Sequence, residues 1–75
     1  MTARMLEQPN ETVLRFEVAD DFDGRAWRGT VKWDGCIDLD PDSRHYCGPD
    51  ELVAVARLIA DLAAQHLPGW EGGRP

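Results

Sequence analysis

Leu14, Phe16 and Val18 alternate with Arg15 and Glu17, so one face of residues 12–18 is apolar and the other charged. This two-residue period, with β-branched and aromatic side chains, predicts a strand half-buried on a sheet. Asp20-Asp21-Phe22-Asp23-Gly24 ends it with an Asp-Gly turn signal. Residues 26–33 alternate again, with Trp27, Gly29, Val31 and Trp33 on one parity and Arg28, Thr30 and Lys32 on the other. A second turn at Asp34-Gly35 leads into a short third strand, Cys36-Ile37-Asp38-Leu39.

The second turn fixes a register. A two-residue loop at Asp34-Gly35 would pair Trp33 with Cys36 and set Ile37 and Leu39 beside Lys32 and Thr30. A three-residue loop, Trp33-Asp34-Gly35, with Gly35 left-handed in a bulge, shifts the pairing by one. Val31 then opposes Ile37, Gly29 opposes Leu39, and the apolar residues share one face. The second arrangement is preferred, and it places Trp33 in the turn.

After the polar connection 40–48 the period changes to that of a helix over 49–67. Pro49 suits a first helical position because it needs no amide hydrogen. Asp50 and Glu51 favour the positive end of the helix dipole, and Pro68-Gly69 stops the helix. Leu52, Val55, Ala56, Ile59, Leu62, Ala63 and His66 form one stripe, widened by Val53, Leu58, Ala60 and Leu67. This apolar arc is wider than one small sheet requires. The N-terminal arm is the favoured cover for the excess; a homodimer or another partner is the alternative.

The expected fold is α+β: a three-stranded antiparallel β-meander with one C-terminal amphipathic helix packed on it. Residues 1–11 read as a loose N-terminal arm, 12–39 as the meander, 49–67 as the helix and 68–75 as a flexible tail. Leu14, Phe16, Val18, Trp27, Val31, Ile37 and Leu39 are the expected sheet core. Leu52, Val55, Ile59, Leu62 and Ala63 are the expected helix core. A chain of 75 residues is one domain. It buries only about 60% of its unfolded surface, which leaves little room for a deep catalytic pocket.

The formal net charge is −6, and Lys32 is the only lysine. A negative surface repels nucleic acid and anionic lipid, so direct binding to either is disfavoured. No apolar run reaches the ~20 residues that span a bilayer, and residues 1–9 lack the apolar core of a signal peptide. A cytoplasmic protein is expected, with Cys36 and Cys47 as thiols.

Cys36, His45 and Cys47 are the residue types that hold zinc. They lack the paired spacing of known zinc sites, and a fourth ligand would have to be His66 or an aspartate. The bland reading, two small buried thiols and a surface histidine, is preferred. Asp38-Leu39-Asp40-Pro41-Asp42-Ser43 starts like a calcium loop but puts Ser43 where glycine is needed and Pro49 where glutamate is needed. Ser43 lies near His45 without a nucleophile elbow around it, and no glycine-rich phosphate loop is present. The chain reads as non-enzymatic, and no cofactor is expected.

The remaining signal is an acidic, tryptophan-bearing surface. Seven aspartates fall within the 23 residues from Asp20 to Asp42. Trp33 at a turn tip and Trp70 in the tail are candidate anchors, since tryptophan is enriched at binding hot spots. The expected partner-binding set is Asp21, Asp23, Trp33, Asp34, Asp38, Asp40 and Asp42. The competing reading is a solvated edge that blocks strand aggregation.

In size, acidity, aspartate density and hairpin-plus-helix plan the chain resembles the small acidic proteins of phages and mobile elements, anti-CRISPR inhibitors among them. That resemblance implies inhibition by contact, through mimicry of nucleic-acid phosphates. The expected function is stoichiometric binding to a basic protein or nucleoprotein complex. A small zinc-binding or structural module using Cys36, His45 and Cys47 is the alternative.

Overall fold

The computed structural model describes residues 1–10, 12–20, 25–45 and 48–70, with 7–10 described by backbone alone. Strands β1 (Thr2–Asn10), β2 (Val13–Ala19), β3 (Ala26–Lys32) and β4 (Ile37–Leu39) precede one helix, α1 (Pro49–His66). The strands form one antiparallel sheet in the order β1-β2-β3-β4.

The α+β class stands, with four strands instead of three. The extra strand is β1, in the segment expected to be a loose arm. Residues 2–6 have little alternation of their own, but they complete the open edge of β2. Ala3 and Met5 fall opposite Val18 and Phe16, and Arg4 falls opposite Glu17. The ladder is irregular beyond Met5, with register shifts between Met5 and Glu7 and between Glu7 and Asn10.

The β3–β4 hairpin has the register of the three-residue loop. Val31 opposes Ile37 and Gly29 opposes Leu39. Gly35 takes a φ of 92°, the left-handed geometry that such a bulge needs. Across β2–β3, Leu14, Phe16 and Val18 oppose Val31, Gly29 and Trp27. One face of the sheet is therefore apolar and the other charged.

Leu14, Phe16, Val18, Trp27 and Val31 make the buried face with Val55, Ile59, Leu62, Ala63 and Leu67. The α1 helix packs against β1 and β2, so the former arm covers part of its wide apolar arc. Two expected core residues lie outside. Ile37 is 38% exposed because α1 does not extend over β4, and Leu52 is 45% exposed because burial along the helix begins at Val55. Leu39 is packed against the core without being fully buried.

Pro49 opens α1 and Asp50 and Glu51 occupy its first turn, as the sequence predicts. The helix ends at His66, and Leu67 turns extended as its amide donates to the Ala63 carbonyl at 2.8 Å. Of the segment expected to be a flexible tail, residues 68–70 are held to the fold, and 71–75 lie outside the described residues. The Trp70 amide donates to the Leu67 carbonyl at 3.1 Å, and its side chain packs on the core. No helix of the described residues is long and apolar enough to cross a membrane.

Candidate functional site

The face of the sheet away from α1 carries an ordered row of charge. Arg4, Glu17 and Arg28 are direct cross-strand neighbours on β1, β2 and β3. Arg4 Nε donates to Glu17 Oε1 at 2.9 Å and Arg28 Nε to Oε2 at 2.8 Å. The Glu17 side chain is only 11% exposed between them. The Arg28 and then the Arg4 hydrogen bonds hold its carboxyl below the usual glutamate range. A carboxylate gripped this way is a structural anion and a poor proton acceptor.

Asp40 and Asp42 belong to the same lattice. Arg15 grips Asp40 at two points, Nη2 to Oδ2 at 2.7 Å and Nη1 to Oδ1 at 3.3 Å. Asp42 lies 3.9 Å from Arg28. Two of the expected partner-binding aspartates thus have internal cationic neighbours. Asp21 and Asp23 lie outside the described residues.

The connection after β4 continues along β3. Asp40 N donates to Arg28 O at 2.8 Å, and Arg44 N to Ala26 O at 3.0 Å. Between them the Ser43 hydroxyl accepts from Arg28 N at 2.9 Å and donates to Arg44 O at 3.0 Å. Ser43 is buried and acts as a backbone surrogate, which occupies its hydroxyl. Arg44 then folds over the end of the sheet, 4.6 Å above the Trp27 ring centroid. It also pairs with Asp20 at 3.3 Å and Glu51 at 3.4 Å. An open groove of about 370 Å³ runs beside this corner, lined by Arg25, Arg28, Asp42, Ser43 and Arg44. Its arginines Arg28 and Arg44 already face Glu17, Asp42, Asp20 and Glu51.

At the opposite end of β3 stands the β3–β4 turn. Lys32 N donates to Cys36 O, and Gly35 N to Lys32 O, both at 2.9 Å. Asp34 Oδ1 accepts from Cys36 N at 3.1 Å. Trp33 N donates to Thr12 O at 3.1 Å, tying the turn to the start of β2. The turn is fixed, yet its side chains face solvent. Trp33 is 41% exposed, and Asp34 in the same turn and Ile37 and Asp38 at the start of β4 are exposed as well. The Cys36 amide hydrogen bond lowers the Asp34 pKa.

The zinc alternative is not assembled by this arrangement. Cys36 bonds to the Lys32 end of β3, whereas Arg44, next to His45, bonds to the Ala26 end. The strand between spans about 20 Å at roughly 3.3 Å per residue. The Asp34 carboxylate also raises the Cys36 thiol pKa, disfavouring the thiolate that metals bind. Cys47 lies outside the described residues, and among those described no group of three or more His, Cys, Asp or Glu gathers to hold a metal.

Arg4, Glu17 and Arg44 carry no functional signal in the sequence pattern, and Ser43 is weighed there only as a nucleophile or calcium-loop position, not as the backbone partner it is. Glu17 and Arg28 were readable as neighbours only with the β2–β3 register in hand. Arg4 needed β1, and Arg44 sits in a segment whose only signal was polarity.

The fold thus defines a small antiparallel sheet backed by one helix, with Trp33 and Ile37 among its exposed apolar residues at the β3–β4 hairpin. Comparison with protein-family models, characterised proteins and solved structures finds no match for this chain.

Proposed function

We propose that this chain is a non-enzymatic binding protein that contacts a larger partner through the β3–β4 turn. The observation that carries this reading is Trp33, exposed on a turn whose backbone is fixed by four hydrogen bonds. A pre-fixed turn loses little entropy on binding, so an aromatic anchor there retains more of its contact energy. Ile37 adds apolar surface, and Asp34 and Asp38 add negative charge.

The net charge of −6 favours a basic protein or nucleoprotein complex as partner. The sharper form of the proposal is an inhibitor similar to anti-CRISPR proteins, which blocks a nucleic-acid-binding surface in the cytoplasm. Asp40 and Asp42 contribute to the overall field while Asp34 and Asp38 meet the partner.

The test is a pull-down from the native host at low and high salt with three baits: wild type, Trp33→Ala, and Asp38→Lys. The proposal expects a basic or nucleic-acid-handling protein that wild type retains at low salt and both variants lose. Failure of all such proteins to distinguish the baits would overturn it.

A further inference from the structure

The sheet has two outer edges, and they differ in length. The β4 edge is three residues long, whereas β1 runs for nine. The direction of the free backbone groups on β1 follows from the bonds that bracket the β2–β3 ladder. Asp20 N donates to Arg25 O, and Trp33 N to Thr12 O. Backbone bonding alternates along an antiparallel strand. Leu14, Phe16 and Val18 therefore bond towards β3, and Arg15, Glu17 and Ala19 towards β1. Their partners Glu7, Arg4 and Thr2 bond inward. Ala3 and Met5 are left with N–H and C=O groups aimed outward.

The side chains beside that edge form a knob and a recess. Met5 lies on the helix side of the sheet, opposite buried Phe16, yet is 37% exposed. Two residues back along β1 an open groove of about 310 Å³ runs between β1 and α1, lined by Met1, Thr2, Ala3, Leu58, Asp61, Leu62 and Gln65. The groove is mixed in character, with Ala3, Leu58 and Leu62 as its apolar part, and an unbranched, flexible methionine side chain can adapt to an irregular gap of that kind.

We propose that β1 is a self-association edge, where a second copy of this chain adds its own β1 antiparallel to the first. Ala3 faces the partner's Ala3 across the two-fold axis, and Met5 faces the partner's Met1. Each Met5 then enters the groove of the other copy, so the contact is self-complementary, as a two-fold interface must be. The alternatives fail on named residues. Centring on Arg4 sets two arginines directly opposite on the outer face, a destabilising arrangement. Centring on Met5 sets Ala3 against Glu7, whose backbone bonds inward. The Ala3 register instead places Arg4 opposite the partner's Thr2.

This dimer is independent of what the β3–β4 turn binds, and salt separates the two. Copies that each carry −6 repel at long range, and salt screens that repulsion. Self-association through a seam of apolar side chains and backbone bonds tightens as salt rises, whereas a complex with a basic partner weakens.

Sedimentation velocity on the full chain, from low micromolar to near-millimolar concentration, reads the association directly. A concentration-dependent dimer is the expected result, and a monomer throughout overturns the proposal. Ala3→Pro removes an outward N–H without costing a bond to β2, and proline is tolerated on edge strands. It should weaken the dimer by about tenfold or more, on loss of two reciprocal backbone bonds, with far-UV circular dichroism unchanged. An undiminished dimer with that spectrum would refute the edge assignment.

The register has its own test, which also decides the matter if Ala3→Pro does not fold. In a Cys36→Ser/Cys47→Ser background, Ala3→Cys places two sulfurs across a pair with Cα atoms about 5.5 Å apart, within disulfide reach. Mild oxidation should cross-link Ala3→Cys and leave Arg4→Cys largely monomeric. Equal cross-linking, or none from Ala3→Cys, would overturn the register.

Discussion

The guanidinium of Arg44 lies over the indole of Trp27, 4.6 Å from the ring centroid, and closes the end of the core where α1 begins. Its side chain is 16% exposed and also reaches Asp20 and Glu51. Arg44 joins the post-β4 connection, the end of β2 and the helix start around one aromatic ring. Arg44→Ala should destabilise the fold by roughly 2 kcal/mol, combining a part-buried cation–π contact with two weak ion pairs. Arg44→Lys should recover less than half of this, because an ammonium cannot stack and fork together. Urea unfolding midpoints at constant m-value check both.

Gly29 sits opposite Leu39, tight against the backbone of β4. A Cβ there would meet the backbone carbonyl of Asp38, which has no flexible end to move aside. Gly29→Ala should cost about 1–3 kcal/mol, as overpacking does in a tight interior, or detach β4. Thr30→Ala, one residue on and facing outward, is the control and should cost under ~1 kcal/mol.

Glu17 makes stability depend on acid. Its pKa is lowered in the folded state, by Arg28 first and then Arg4. A lowered carboxyl pKa contributes stability that is fully present above the unfolded value near 4.5 and is lost as pH falls through the folded value. Wild type should therefore weaken below that point. Glu17→Gln should start less stable at neutral pH and lose less on acidification. Denaturant titrations at neutral pH and on the acid side of the unfolded pKa measure this; parallel losses in both proteins would remove Glu17 from the explanation.

The aspartates of the acidic stretch should separate into two groups. Asp40→Asn breaks the two-point contact with Arg15 and should lower stability by about 1 kcal/mol, the scale of a charge-assisted pair at the surface. Asp38→Lys should leave stability within about 1 kcal/mol of wild type and slow association with a basic partner. Trp33→Ala should leave the fold intact and speed dissociation. Thermal unfolding alongside surface-immobilised binding kinetics distinguishes these outcomes.

Much of the fold was legible in the chain. Alternation at Leu14, Phe16 and Val18 and again at Trp27 and Val31 marked β2 and β3, and Pro49 marked the helix start. Matching apolar parity across Trp33-Asp34-Gly35 predicted the β3–β4 register and the left-handed glycine. The candidate site was legible in part: Trp33 and Asp34 were placed in a turn, but the fate of Asp40 and Asp42 was not visible. Their partners, Arg15 and Arg28, are distant in sequence, and charge density along a chain does not reveal which charges are neutralised across strands.

What the sequence determined by itself is local: period, turn geometry and helix ends, because these depend on neighbours a few residues away. Tertiary structure alone decided that residues 2–10 form a strand, because their own pattern is weak and the edge of β2 supplies the order. It also decided that Ile37 remains outside the core, because one helix laid over β1 and β2 does not reach β4. The resulting asymmetry leaves a short, fixed turn exposed at one edge and a long strand at the other. The turn is written locally in Trp33-Asp34-Gly35, whereas the long outer strand has no signature shorter than the whole sheet.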